Sequence, residues 1–422
     1  MLKSLSSSII VTVLGLYLAA CQLKPVDPSG TWRGSVKNPS GEDVAFTLEI
    51  KREGDRIDGA LVNGDERTPA TGGSFDGRTL KLRFDYYDGE LTAAISGDAL
   101  QGTFDRQWRK QRLTRELRAT RARADERPAG SPAAGGPADL TGEWVLQAVD
   151  SKRQDFWRAD FKQQGREVRG TIIPVSGDWG EIVGTFENHQ LRLNRFDGIN
   201  SRVVIARLTS TGRLEGWADL GLFDPKKTII GERLTAQSGA SIATLPDPNR
   251  YTRMSNPAEP LRFSFPGLDG KTVSSTDARF KDKVVVVSIT GSWCPNCHEE
   301  APLLQEFYRR YQGQGLEAVA LGFEYTGEGA RDLAQLQIFA NRHHLTYPVL
   351  LAGSLAEGEI QRRLPQLVNF GAYPTTIFIG RDGLVKRIHT GFEGRATGER
   401  FTKLKAEYEE WIKELLADRE LS

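Results

Sequence analysis

Cysteine is scarce in this chain of 422 residues: there are three, Cys21, Cys294 and Cys297. That number excludes a disulfide-stapled scaffold and a cysteine-rich zinc or iron–sulfur protein. Net charge is nearly absent, with Lys+Arg 56 against Asp+Glu 55, so no nucleic-acid partner is expected from bulk electrostatics. Long apolar runs are missing as well. The longest, Ile9 to Ala20, falls short of the ~20 residues that a membrane-spanning helix needs. What is present is an ordinary globular composition, 39% hydrophobic and 26% charged with 44 glycines, in a chain long enough for two to four domains.

Lys3 precedes that apolar run, which is interrupted by Thr12 and Gly15 and suits the hydrophobic region of a secretory signal over residues 1–20. The run ends in Leu18-Ala19-Ala20-Cys21, which resembles the lipobox of bacterial lipoproteins. The resemblance implies cleavage before Cys21, lipidation of its thiol, and a membrane-anchored, exported protein tethered through residues 21–29. A cleaved signal followed by a chance cysteine is the alternative. Gln22 follows where an enterobacterial retention signal would have aspartate, which leaves the outer membrane open as well as the inner.

Two Pro/Gly/Ala-rich stretches, 123–139 and 237–260, read as linkers between three units. The first two units, 30–122 and 140–236, look like copies. Gly30-Thr31-Trp32 answers Gly142-Glu143-Trp144, Leu80-Lys81-Leu82 answers Leu191-Arg192-Leu193, and Arg112-Leu113-Thr114 is matched to Arg233-Leu234-Thr235. Apolar and polar residues alternate over short runs bounded by Gly and Asp, as in Phe46, Leu48 and Ile50. That is the period of antiparallel strands, about eight per copy, in a small barrel or sandwich. The Gly-x-Trp opening resembles the first strand of lipocalin- and avidin-like barrels; another all-β module fits equally.

The basic run Arg106 to Arg123 has two readings. It is a phosphate-binding patch, or the last strand of the first copy with Leu113 and Leu117 inward and its arginines outward; the second reading is preferred.

From Leu261 to the C-terminus, strands alternate with helices. Lys283 to Thr290 is a β-branched run expected of a strand buried on both faces. Trp293-Cys294-Pro295-Asn296-Cys297-His298-Glu299-Glu300 follows, and Leu303, Leu304, Phe307 and Tyr311 then mark an amphipathic helix. A CxxC at such a junction puts its first thiol over a helix N-terminus, where unpaired N–H groups and the helix dipole favour a thiolate.

These residues, with the entry segment Phe263 to Val273 and the loop Gly371-Ala372-Tyr373-Pro374-Thr375-Thr376, resemble the TlpA/ResA-like thiol–disulfide oxidoreductases of the thioredoxin superfamily. The resemblance implies an α/β thioredoxin-like domain over 261–422, following two all-β modules. It implies an exposed attacking Cys294, a resolving Cys297, and a cis peptide bond before Pro374. It also places substrate contacts at Trp293, Tyr373 and Thr375, and an acidic relay at Glu300, for which a solvated first-turn glutamate is the alternative. Protein disulfides or dithiols are the implied partners, with a membrane-embedded electron donor of the DsbD/CcdA type; no cofactor or metal is implied. Departures are present: Pro295 follows the first cysteine, Ile289-Thr290 replaces an aromatic pair, and Ser288 stands where cytosolic thioredoxins keep an aspartate.

Other readings compete. Cys294-Pro-Asn-Cys297-His298 also fits the CxxCH rule for covalent haem, though Met254 is the only internal methionine. A peroxiredoxin would carry threonine and proline where this chain has Gly291 and Val287. His343-His344 is a metal pair only superficially, since neighbouring helical residues diverge. His298 is expected as a polar helix residue adding positive charge near the thiols. Finally, the β modules are candidates for binding an envelope ligand without catalysis.

Overall fold

The computed structural model describes residues 26–123, 139–149, 155–221, 226–235 and 245–418. The signal-like run, Cys21 and most of the first linker lie outside the described residues.

The first module is one antiparallel sheet of β1 (Gly30–Lys37), β2 (Asp43–Glu53), β3 (Arg56–Asn63), β4 (Glu66–Pro69), β5 (Gly72–Phe75), β6 (Thr79–Phe84), β7 (Gly89–Ser96), β8 (Ala99–Trp108) and β9 (Gln111–Arg121). It has nine strands in the order β4-β3-β2-β1-β9-β8-β7-β6-β5, which leaves β4 and β5 as unpaired edges. The second module closes fully. Its strands β10 (Gly142–Ala148), β11 (Asp155–Gln164), β12 (Glu167–Ile173), β13 (Ile182–Glu187), β14 (Gln190–Phe196), β15 (Ser201–Leu208), β16 (Leu214–Asp219) and β17 (Lys227–Arg233) form an up-and-down barrel, with β17 pairing back onto β10.

The two modules share local features, although the first stays open with nine strands and the second closes with eight. Trp32 and Trp144 are 0% and 1% exposed, and each indole N–H donates to a carbonyl four residues back, Pro28 at 3.0 Å and Leu140 at 2.9 Å. Arg121 lies over the Trp32 ring at 4.4 Å and Arg233 over Trp144 at 4.7 Å. The counterpart of Arg233 is therefore Arg121, not Arg112; the match made on Arg-Leu-Thr was a local coincidence within an arginine-rich strand.

The modules interlock. The hairpin of β14 and β15 places Phe196, Ile199 and Val203 in the apolar core of the first module, with the Phe196 and Phe104 ring centres 5.2 Å apart. Buried Arg195 reaches Glu66 of the first module at 2.7 Å and Asp197 of its own at 3.1 Å.

The basic run spans two strands rather than one. Arg112 and Arg118 face out as expected, but Arg106 and Arg115 share the inward face with Phe104, Leu113 and Leu117. Period-2 alternation sets the direction of every second residue whatever its charge.

The C-terminal domain comprises α1 (Pro248–Tyr251), β18 (Arg253–Met254), β19 (Ser264–Pro266), β20 (Thr272–Ser274), β21 (Val284–Thr290), α2 (Pro295–Tyr311), β22 (Leu316–Glu324), α3 (Gly329–Arg342), β23 (Val349–Ser354), α4 (Glu359–Arg363), β24 (Leu367–Val368), β25 (Thr375–Ile379), β26 (Val385–Thr390) and α5 (Glu399–Ala417). Its sheet runs β23-β22-β21-β25-β26, with β22 parallel and β25 antiparallel to the central, wholly buried β21. Val284 and Val286 pack toward α2 and α5, while Val285, Val287 and Ile289 face Phe263 and Phe265.

The stretch 237–260 is structured from residue 245 onward. Asp247 caps α1, Pro248 occupies a first-turn position that needs no N–H, and β18 pairs with β24.

Replacing Arg195 by methionine strands the Asp197 and Glu66 carboxylates at the module junction. Urea unfolding is expected to show a loss of about 3–5 kcal/mol. A loss below about 1 kcal/mol, typical of an exposed pair, contradicts a structural role for this junction.

Candidate active site

The turn after β21 is held by three hydrogen bonds. Ser292 donates through its N–H and its hydroxyl to the Glu324 carboxyl at 2.7 and 2.8 Å, and Trp293 Nε1 donates to the Phe323 carbonyl at 2.8 Å. Glycine is required at position 291, because a Cβ there would lie 2.3 Å from Trp293 Nε1 and 2.8 Å from the Phe323 oxygen. The chain then enters α2 with Cys294 as its N-cap and Pro295 in the first turn.

Cys294 Sγ accepts the Cys297 N–H at 3.2 Å and donates to the Tyr373 carbonyl at 3.3 Å. Tyr373 and Pro374 are joined by a cis peptide bond, and Thr375 Oγ1 donates to the Ala372 carbonyl at 2.7 Å. The structure thus brings Trp293, Cys294, Cys297, Tyr373, Pro374 and Thr375 together at one end of the sheet. Both cysteines are free thiols here.

Cys294 is not exposed. It is 4% exposed and Cys297 0%. The covering groups are aromatic: the Trp293 ring is 5.7 Å from Tyr325 and 5.2 Å from Tyr373, and Trp108 of the first module is 5.1 Å from Tyr325. Arg106 closes the set, its Nη1 donating to Tyr325 Oη at 2.9 Å. Nothing within the C-terminal segment of the sequence could announce the part of the cover that comes from another module.

Glu300 is buried rather than solvated. It projects from α2 one turn beyond Cys297. Its carboxyl accepts from Ser288 Oγ at 2.6 Å and from Thr376 Oγ1, which in turn accepts from Tyr408 Oη at 3.2 Å. Burial pushes the Glu300 carboxyl up to about 7. Burial also pushes the Cys297 thiol well above its usual range, with Cys294 as the next cause. Glu324, which the sequence reading passed over, is pushed up to about 8 by burial. Its signal was a lone acid closing the apolar strand Ala318 to Phe323.

His298 does not add positive charge. Its Nε2 donates to the Ser292 carbonyl at 2.7 Å, so its Nδ1 accepts from His343 Nε2, also at 2.7 Å. Burial lowers His298 well below its usual range and His343 to about 4, so both rings are neutral at pH 7. With both ring nitrogens engaged, His298 does not fit a haem iron. Among the described residues no group of three or more His, Cys, Asp or Glu side chains converges on a metal position.

Asn296, between the cysteines, reaches the second module: its amide donates to the Asp178 carbonyl at 3.1 Å. The Asp178 carboxylate accepts the Gly394 N–H.

Residues 258–388 match the AhpC/TSA family. The thiol–disulfide oxidoreductase ResA of Geobacillus thermodenitrificans is 32% identical over 129 residues, covering 31% of this chain and 66% of that protein. The thioredoxin-like protein YneN of Bacillus subtilis is 28% identical over 129 residues, covering 31% and 68%. The chain spans 66% and 57% of the lengths of two Geobacillus ResA proteins. A solved thiol:disulfide interchange protein of Chlorobium tepidum shares 22% identity over 39% of this chain and all of its own, at TM-score 0.29. StoA of Bacillus subtilis shares 19% over 37% and 98%, at TM-score 0.26. The C-terminal domain is thus similar in sequence to the AhpC/TSA family and to thiol–disulfide oxidoreductases, the resemblance its motifs carry.

The unfolded chain releases the Glu324 proton near 4.5, whereas the folded chain keeps it to about 8. Stability therefore falls as pH rises through that window, at up to ~1.4 kcal/mol per pH unit for this carboxyl. Glu300 adds a similar fall that ends near 7. Denaturant titrations between pH 5 and 8 are expected to show the decline and a shallower slope in Glu324→Gln. An unchanged slope contradicts the burial of an ionisable group there.

Proposed function

We propose that the protein is an exported thiol–disulfide oxidoreductase working through Cys294 and Cys297, with net reduction of protein disulfides. The observation that carries this reading is the position of Cys294 Sγ, at the mouth of α2 between the Cys297 N–H and the Tyr373 carbonyl. As the sulfur gains negative charge, the N–H bond and the helix N-terminus stabilise it.

The reaction balances without a cofactor. Cys294 thiolate attacks one substrate sulfur, the substrate S–S bond breaks, and the leaving sulfur departs as a thiolate that takes up a proton. Cys297 then loses its proton and attacks the Cys294 sulfur, releasing the second substrate thiol and leaving a Cys294–Cys297 disulfide. Two electrons have passed to the substrate. Glu300 is the proton acceptor for Cys297 in this reading, because a carboxyl near 7 is half ionised at neutral pH. Tyr373, Pro374 and Thr375 form the loop that lines up the substrate chain, and Trp293 walls the sulfur pair. A membrane-embedded donor of the DsbD/CcdA type re-reduces the disulfide, and Cys21 supplies a lipid anchor in the bacterial envelope. The two β modules, calycin-like in their Gly-x-Trp opening, act as docking and selecting elements.

Cys294→Ser is expected to bring disulfide reduction to background, and Cys297→Ser to accumulate mixed disulfides on Cys294, both read by mass spectrometry after acid quench. Full turnover in Cys294→Ser rejects the reading. Glu300→Gln is expected to slow the resolving step about 10²-fold and to remove its pH dependence near 7. A redox titration near ~−270 mV supports the reductive direction, and one near ~−120 mV reverses it.

A further inference from the structure

Disulfide exchange leaves the arginine run unexplained. Its two inward members, Arg106 and Arg115, are 1% and 6% exposed. They occupy diagonal positions on one face of the β8–β9 ladder, Arg106 opposite Leu113 and Arg115 opposite Phe104. The Arg106 guanidinium carbon lies 5.4 Å from the Trp108 ring centre and 5.8 Å from that of Tyr325. Tyr325 is packed against Trp293, the neighbour of Cys294. Nε and Nη2 of Arg106, and Nη1 and Nη2 of Arg115, are buried with no hydrogen-bond partner among the described residues.

Buried cations side by side repel one another and need a counter-charge. Burial and the Arg106 charge push the Arg115 guanidinium down to about 10, which still leaves it cationic at neutral pH. The Asp197 charge partly offsets this at Arg115, but the acids nearby make their hydrogen bonds elsewhere. Asp197 accepts from Arg195 Nε, the Ile199 and Asn200 N–H groups and the Asn200 amide. Asp105 accepts from Thr103 and Thr114, and Glu116 points to solvent.

We propose that Arg106 and Arg115 recognise a carboxylate carried by the substrate next to the disulfide that Cys294 attacks. The inference rests on the dithiol reading above and narrows its substrate class to disulfides flanked by acidic groups, as in an acidic peptide segment. A guanidinium fork offers two parallel N–H groups to the two carboxylate oxygens, and a water-poor site strengthens the pair. The Trp108 and Tyr325 rings provide an apolar wall for the stem that joins the carboxylate to the sulfur. An inorganic anion has the same charge chemistry but no sulfur, and the experiment separates the two.

The reduced full-length protein is assayed with three small symmetrical disulfides: 3,3′-dithiodipropionate (anionic), bis(2-hydroxyethyl) disulfide (neutral) and cystamine (cationic). The expected order of kcat/KM is anionic, neutral, cationic, with the first exceeding the second about tenfold. Arg115→Met is expected to bring that ratio to about one. Arg115→Lys, which keeps the charge and loses the fork, retains only part of it, and decides the matter should Arg115→Met fail to fold. Arg112→Gln, an exposed arginine on the same strand, leaves the ratio in place. Equal rates for the three disulfides, or a ratio that survives both Arg115 variants, overturns the proposal. So does sulfate that raises the melting temperature through these arginines while no charge preference exists, since this means a resident inorganic anion only. A missing preference with the neutral disulfide still reduced through Cys294 rejects the arginine site alone. Failure of all three disulfides rejects the dithiol reading and the arginine site with it.

Discussion

In the proposed reaction one sulfur becomes an anion, and the protein holds that sulfur almost out of contact with water. Cys294 is 4% exposed and its partner is sealed completely. Solvent therefore contributes little to stabilising charge at the site, and fixed groups must do so: the Cys297 N–H, the first turn of α2 and whatever a neighbouring residue can donate. The same dryness keeps the Cys297 thiol and the Glu300 and Glu324 carboxyls protonated toward neutral pH. One physical condition thus sets the roles of all four groups.

Keeping the site dry requires parts that are remote in sequence. The first module supplies Trp108 and Arg106 over Tyr325, and its Asp88 and Asp85 hold α3 through Arg331 and Gln335. The second module grips the opposite side, where Asp178 bonds Gly394 and receives Asn296. That approach is close enough to require glycine at 177, φ +99°, whose missing Cβ would lie 2.4 Å from the Asn296 amide. The β modules are therefore part of the wall around the two cysteines.

Much of the C-terminal domain was legible in the chain. A continuous β-branched run, a CxxC at its end and an amphipathic helix are local patterns, and local patterns determine local structure. That two all-β modules precede it was legible for the same reason, because Gly-x-Trp heads each, whereas the open sheet of the first and the closed barrel of the second were not. What the sequence concealed was relational. Arg106 and Arg115 read as outward because they are charged, yet strand alternation turns them inward. His298 read as a charged helix residue because nothing in sequence pairs it with His343, forty-five positions later. The burial of Cys294, the use of Asn296 and the anchoring by Glu324 all depend on contacts between segments far apart in the chain.

Part of the cover over the sulfurs comes from a hairpin whose own strands belong to a different module. Change in that hairpin leaves the residues of α2 and the Tyr373–Pro374 loop in place while altering the dryness around them. A lineage carrying this architecture holds its paired cysteines and part of their cover on separate stretches of the gene. Drift in the β8–β9 tip can therefore reshape the surroundings of the two sulfurs without touching the residues that carry them.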